Sequence, residues 1–439
     1  MWYNLIVTKK PHQAKQEEFF VMDYTTKISV LKRAIHKFAA KISAGMTRPF
    51  HKFTADMCYG AMAAKSCVLS EIAQALQEDT QKINTVERLA RNLNAEIPKA
   101  VQDNYTNVVQ QYLPDNIVIH IDNSDVIKPC GRVFEGISRV RDGSKSTASK
   151  TVTGNGYYVT EAAALTKSSH PVSVFSEVWS AESSAFTSGG EFAYTKKAIQ
   201  SCVDRFGRAT FVMDRGYDDN DVFRLLDRLG QTYVIRLKLN RKIRVNGKKY
   251  SIQELCANRK GKYATKVIYH GRTRKAKLSV VKGVLSGSDR ALSIILVYGL
   301  SDHPMVLATN LSTDTKNLAI AAMRHYFSRW RIEEYFRCKK QMFDFENFRV
   351  RSLTAINSLN FFLSACMLFL ATIRETSDRN MLFRICVEAA APLRPKVYFF
   401  YYRLVVGLHF ILSKAHTGIR GYFKTLRPNQ RQMKIRGFT

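Results

Sequence analysis

The chain has 439 residues, 46% hydrophobic and 24% charged, a globular composition that argues against wholesale disorder and fibrous repeats. Its 68 Lys and Arg outnumber 36 Asp and Glu, leaving +32 at neutral pH. An excess that large argues against a freely soluble metabolic enzyme and suits a protein lying along a polyanion, nucleic acid first and an acidic membrane surface second.

In chain order, residues 1–112 read as a helical N-terminal region. The opening MWYNLIVTKKPHQ lacks the charged-then-apolar order of a secretory signal. Leu69, Ile72, Ala73 and Leu76 mark one helix face, and Val86, Leu89, Ala90 and Leu93 a second, with a polar break at Glu78-Asp79-Thr80. The pair fits a DNA-reading helix-turn-helix, with Arg88 and Arg91 turned away from the apolar stripe, and fits two ordinary bundle helices equally well. Pro98 is a candidate end of the module.

Residues 113–230 alternate strands and helices, which implies an α/β layer structure. Strands are expected at Ile117–Ile121, Tyr157–Leu165, Pro171–Trp179 and Ala209–Met213, and helices at Gly189–Phe206 and Val222–Leu229. A Ser/Lys/Gly-rich loop, Gly143–Gly156, separates the first two strands. Residues 231–310 are a β-rich, basic stretch. Residues 311–375 return to helix, first Thr315 to about Gln341, then Leu359–Ile373. The latter carries Asn360 and Ser364, is shorter than the ~20 residues a bilayer requires, and reads as a core helix. Residues 376–439 are expected to form a helical, basic C-terminal region with no acid beyond Glu388. The eight cysteines are scattered with no zinc-site spacing, as expected of free thiols in a reducing compartment. A soluble cytoplasmic protein with no membrane partner is expected, although the basic tail Tyr398–Thr439 would also suit a peripheral membrane role.

Carboxylates are scarce here and their placement is informative. Asp122 follows the strand Ile117–Ile121 and Asp214 follows Ala209–Met213, and strand ends of open α/β sheets are where ligand sites form. Each alone is better explained as a turn or helix cap. In the helix from Thr315, Tyr326, Arg329, Glu333 and Lys340 fit Y-x2-R-x3-E-x6-K. At about 100° per residue they share one narrow strip, with Ile332, Phe336 and Phe343 turned to the core and Glu334 well away. A solvated charged face would give the same pattern. Three carboxylates from two strands and a helix also make an oxygen-only site suited to Mg²⁺ or Mn²⁺. Two such ions ~3.5–4 Å apart support phosphodiester displacement. Arg329 could then grip a phosphate bidentately, Lys340 act as a point charge and Tyr326 donate a hydrogen bond.

The runs IDNS at Asp122, VMDRGYD at Asp214 and YFSRWRIEEYFRCKK from Tyr326 to Lys340 resemble the DDE transposases of prokaryotic cut-and-paste insertion sequences that carry the Y-R-E-K signature, the IS-four-type family. The resemblance spans roughly 116–353. It implies a ribonuclease H-like core with the triad Asp122, Asp214 and Glu333, interrupted by the β-rich insertion at 231–310. It further implies two Mg²⁺ ions per site, with Mn²⁺ able to substitute. Tyr326, Arg329 and Lys340 would hold phosphates near the transposon end. The implied reaction is strand hydrolysis, a hairpin intermediate and joining of 3′ ends to target DNA by a homodimer. Asp125 is the alternative to Asp122 on the first strand, Asp122 being preferred because it abuts the strand and precedes Ser124. Asp218, Asp219 and Asp221 suit the dipole of the following helix. Competing readings are a DNA-binding regulator or inactive transposase, and a nuclease that cuts without joining. No GxxxxGK[ST] run occurs, so no nucleotide cofactor is expected. Trp179 and Trp330 read as packing residues.

Overall fold

The computed structural model describes residues 23–147, 149–269, 272–376, 381–390 and 399–420. The N-terminal MWYNLIVTKKPHQ run and the basic residues Arg394, Lys396, Lys424, Arg427, Arg431, Lys434 and Arg436 lie outside them.

Five helices come first: α1 (Tyr24–Ile42), α2 (Arg48–Ala64), α3 (Leu69–Leu76), α4 (Lys82–Leu93) and α5 (Lys99–Gln110). The two periodic runs are thus α3 and α4, joined by a short turn in which Gln77 adopts a left-handed conformation. α4 buries Thr85, Leu89 and Leu93 and exposes Lys82, Asn84, Glu87 and Arg91. Arg88 behaves differently from Arg91. It pairs with buried Asp56 and with Glu78, both at 3.0 Å, so it is spent on packing. Pro98 does not end the helical region; it stands at the N-cap of α5.

The sheet begins with β1 (Val118–Ile127), β2 (Ser138–Arg141), β3 (Thr153–Leu165) and β4 (Pro171–Trp179). α6 (Ser184–Phe206), β5 (Thr210–Met213), α7 (Asn220–Arg228) and β6 (Thr232–Arg236) follow. β4, β3 and β1 pair antiparallel in that order, whereas β1, β5 and β6 pair in parallel. β6 belongs to the stretch read as insertion, yet its parallel register with β5 makes it part of the central sheet. Parallel neighbours need crossovers, and α6 and α7 supply them. α6 kinks at Gly190, whose φ of 60° suits glycine.

Next come β7 (Lys242–Val245), β8 (Lys248–Ser251), α8 (Ile252–Ala257), β9 (Tyr263–Tyr269), β10 (Arg272–Leu285), β11 (Ala291–Tyr298) and β12 (Met305–Thr309). β12 pairs antiparallel with β6, so these strands continue the same sheet; among the described residues it has twelve strands.

Strand alternation sorts the core onto two faces. Ile119, Ile121, Phe211, Met213, Tyr233 and Ile235 pack with residues of α6 and α7. Val118, Val212, Val234 and Leu307 pack with Ala319, Ala322, Met323 and Tyr326 of α9 (Lys316–Phe327). α10 (Trp330–Met342) and α11 (Leu353–Glu375) come next, then α12 (Met381–Ala389) and α13 (Tyr401–Leu412). The mixed α/β architecture is consistent with a ribonuclease H-like transposase domain.

α11 is long and apolar enough to cross a bilayer by length and composition, but it is largely buried. Asn357 donates to the Val178 carbonyl of β4 at 3.0 Å and Asn360 to Ser176 Oγ at 2.7 Å, which explains two polar residues in an apolar run. Helix α13 returns to the N-terminal helices, where His409 Nδ1 meets the Ala63 carbonyl at 2.7 Å. Beyond it Gly418 lies so close to the Leu76 carbonyl that a Cβ would stand 1.7 Å from it, and Arg420 joins the Asp56, Glu78 and Arg88 cluster.

Candidate active site

Parallel pairing of β1 with β5 sets Ile121 beside Met213, the last matched pair. The next residues on both strands are Asp122 and Asp214, so two neighbouring strands deliver carboxylates side by side. Asp122 is not at a strand end: β1 continues to Ile127 against β3, and only its partner β5 stops. Alternation also separates the two acids of β1. Asp122 shares the α9 face with Val118 and His120, whereas Asp125 falls on the opposite face, its Oδ1 toward Gly143. Asp214 serves a turn as well: its Oδ1 accepts from Gly216 N at 2.7 Å.

The helix expected from Thr315 to Gln341 is broken. α9 ends at Phe327 and α10 starts at Trp330; Ser328 N is shared between the Arg324 and His325 carbonyls, and Arg329 N and Arg331 N bond i to i−3. Ser328 Oγ bonds back to the His325 carbonyl at 2.6 Å and also to buried His120 Nε2 at 2.9 Å. A hydroxyl competing for the helix ladder accounts for the break. Tyr326 therefore lies in the last turn of one helix and Arg329 caps the next, yet Arg329 still meets Glu333 across the bend.

Arg329 is the hub. Its Nη1 lies 2.9 Å from Asp122 Oδ2 and its Nη2 donates to Glu333 Oε1. Burial alone would lower its basicity, but Asp122 and Glu333 hold the guanidinium firmly charged. Burial pushes the Asp122 carboxyl up to about 7; Arg329 pulls it back while the charges of Asp214 and Glu333 add to the rise. Like charges are gathered against their own repulsion, a pattern common at functional sites.

Tyr326 is buried, its phenol raised by burial and drawn back by Arg329 and by Arg236, which hydrogen-bonds to it. Lys340 is committed elsewhere. Its Nζ donates to the Asp125 carbonyl at 2.6 Å and pairs with Glu346 at 2.9 Å, tying the end of α10 to β1. Glu334 pairs with Arg337 away from the site, while Ile332, Phe336 and Phe343 are buried. Trp179 stacks on Tyr194 at 4.3 Å and Trp330 is half-buried with Arg331 over its ring. Of the acids after Asp214, Asp219 caps α7 and Asp221 lies in its first turn, whereas buried Asp218 accepts from Lys238 N at 2.8 Å.

Three neighbours escape a sequence reading. Arg236 ends β6, one strand over from Asp214. Tyr217 is buried with no partner for its hydroxyl among the described residues, and its phenol is raised by burial and by Asp122, Asp214 and Glu191. Glu191 follows the α6 kink. The signal for Arg236 was the parity of β6; for Tyr217 and Glu191 it lay only in tertiary packing.

No three His, Cys, Asp or Glu side chains among the described residues are grouped closely enough to hold one metal ion, and at this site Arg329 stands between Asp122 and Glu333. The donor chemistry nonetheless fits a hard divalent cation: oxygen-only carboxylates in mutual repulsion, beside an unpartnered buried hydroxyl.

No curated protein matches the chain. Residues 190–370, less than half of it, match the family model described as the transposase DDE domain. The span includes Asp214, Tyr326, Arg329, Glu333 and Lys340; Asp122 lies outside and joins the others only through the β1–β5 register. The match supports a DDE transposase, an enzyme of the nuclease and strand-transferase kind whose domains generally use divalent metal ions.

Proposed function

We propose that this protein binds transposon terminal inverted repeats, cuts the ends and joins their 3′ hydroxyls to target DNA. The carrying observation is the Arg329 bridge: one guanidinium holds Asp122 and Glu333 together beside Asp214, on the face of the sheet roofed by α9 and α10. The surplus of +32 charges suits DNA as the substrate.

Asp122, Asp214 and Glu333 would hold Mg²⁺ or Mn²⁺, two ions per site, which when bound supply Lewis acidity at the scissile phosphate. The chain's own groups do the rest. A cation at the carboxylates would free Arg329 for bidentate contact with phosphate oxygens. Tyr326, hydrogen-bonded to Arg236 beside Arg329, would position that phosphate. Lys340 holds α10 on β1 in the packing seen here, and reaches a phosphate only by leaving Glu346. Hydrolysis of one strand would leave a 3′ hydroxyl, whose attack on the opposite strand would form a hairpin and release the flanking DNA; hydrolysis of the hairpin would then restore the 3′ hydroxyl that joins target DNA. The exposed residues of α4 would read the end sequence, and a homodimer would pair two ends in the cytoplasm.

The test is excision from a plasmid carrying the terminal repeats that flank the coding region. The expected result is excision and joining with purified protein and Mg²⁺, abolished by EDTA. Binding of the repeats with no cleavage at any divalent ion concentration would favour a DNA-binding regulator or inactive transposase.

A further inference from the structure

His120 is fully buried on β1, two residues before Asp122 and on the same face, and no step of the proposed reaction uses it. Its Nε2 lies 2.9 Å from Ser328 Oγ, whose own hydrogen goes to the His325 carbonyl at 2.6 Å. Ser328 therefore accepts, and the imidazole carries its proton on Nε2. Nδ1 has no partner among the described residues. The ring thus aims its proton at the residue next to Arg329.

His120 and Asp122 stand about 6.8 Å apart along the strand. They take two consecutive residues of the α9–α10 junction, His120 holding Ser328 and Asp122 holding Arg329 at 2.9 Å. At the far end of α10, Lys340 donates to the Asp125 carbonyl of the same strand at 2.6 Å. One strand therefore meets this segment at three points, and the middle one belongs to the proposed chemistry. Arg329 N bonds the Tyr326 carbonyl at 3.0 Å, an i to i−3 bond that replaces the α-helical one. Each residue wound that way turns the chain about 20° further than an α-helix would. The direction in which the Arg329 side chain leaves the backbone depends on that tightened turn. The contact with His120 uses no atom of Arg329, so the guanidinium can swing to a phosphate while the backbone that also carries Glu333 stays in place.

We propose that His120 and Ser328 are positioning residues: their hydrogen bond fixes the α9–α10 junction on β1 so that Arg329 reaches Asp122 and Glu333, and through Arg329 it sets the rate of strand cleavage. This deepens the reading above and rests on it for the reaction.

The experiment measures cleavage at saturating DNA, binding of the ends in EDTA, and urea unfolding without metal or DNA, all on the full chain. Ser328→Ala and His120→Leu should each lower the cleavage rate by about 10- to 100-fold, the cost of an ångström-scale misplacement, with affinity for the ends near wild type. Ser328→Thr and His120→Gln, which restore a hydroxyl and an N–H, should recover most of the rate. The double variant His120→Leu/Ser328→Ala separates positioning from packing. Exchanging both partners for apolar groups should return the urea midpoint toward wild type, while the rate stays low. Ser328→Ala should also lower the midpoint less when Arg329→Gln is already present, because the junction then has no Arg329 contact left to support. Wild-type rates in the single variants, a rate that recovers with stability in the double variant, or the same midpoint loss with and without Arg329→Gln would overturn the proposal. If wild type itself fails to cleave with Mg²⁺, the catalytic reading falls separately, and the unfolding comparison still decides whether the His120–Ser328 bond places Arg329.

Discussion

Asp122→Asn, Asp214→Asn and Glu333→Gln should each lower Mg²⁺-dependent strand cleavage by at least about 10³-fold, with binding of the DNA ends retained. Losing a metal-holding carboxylate removes several kcal/mol of transition-state charge stabilisation, and each 1.36 kcal/mol is tenfold in rate. Amides keep the shape of the side chains, so the fold should survive. In Asp122→Asn the buried charge is gone, and Arg329 retains Glu333 as partner. Cleavage products resolved on a denaturing gel, with binding measured in parallel, check the prediction. Near-normal cleavage by any one of the three removes that residue from the proposed triad.

The second large effect is on stability. Lys339 and Glu161 form a pair at 3.5 Å with side chains 1% and 0% exposed. Glu161 also accepts from Ser173 and, at 2.8 Å, from Ser176, and Lys339 donates to Ser364 Oγ of α11 at 3.0 Å. The pair pins α10 to β3 and α11, and α10 carries Glu333. Lys339→Met should cost about 3–5 kcal/mol, because it leaves a buried carboxylate without its cation. Adding Glu161→Met should recover much of the loss, since a buried pair exchanged for apolar groups is often neutral. Burial already raises the Glu161 carboxyl, with Lys339 pulling it down. Without Lys339 the folded state would bind a proton more tightly than the unfolded chain. Stability of the single variant should therefore rise as pH falls from neutral toward the ordinary carboxylate range, and fall as pH rises. Urea unfolding of the single and double variants at several pH values checks both statements; equal midpoints for wild type and Lys339→Met would contradict them.

The two effects separate what the sequence displays from what only packing creates. Strands β3, β4 and β5 were legible because alternating or continuous apolar runs are bounded by turn residues, and the Pro171–Trp179 boundaries match β4. The spacing of Arg329 and Glu333 was legible because i,i+4 neighbours meet on any helix, bent or straight. Asp122 and Asp214 were legible as a pair only on the assumption that their strands are neighbours, which the parallel register supplies.

The illegible parts are long-range. The helix break at Ser328 depends on its hydroxyl finding His120, 208 residues earlier. Short β2 has no pattern of its own and is a strand only because it pairs with β3. Arg88 looked like a free basic residue, but Asp56, Glu78 and Arg420 claim it as a network. Lys340 illustrates the same limit: its place on the helix was clear from spacing, its attachment to the Asp125 carbonyl was not.

Cleavage at this site requires Asp122, Asp214 and Glu333 jointly to receive divalent cations once Arg329 moves to phosphate. The most direct measurement is anomalous scattering from Mn²⁺ in crystals of the DNA-bound protein. Mn²⁺ peaks are expected within about 2.5 Å of carboxylate oxygens of all three residues, with Arg329 withdrawn from Asp122. Peaks elsewhere, or Arg329 still bridging Asp122 and Glu333 with DNA and Mn²⁺ bound, would contradict that requirement.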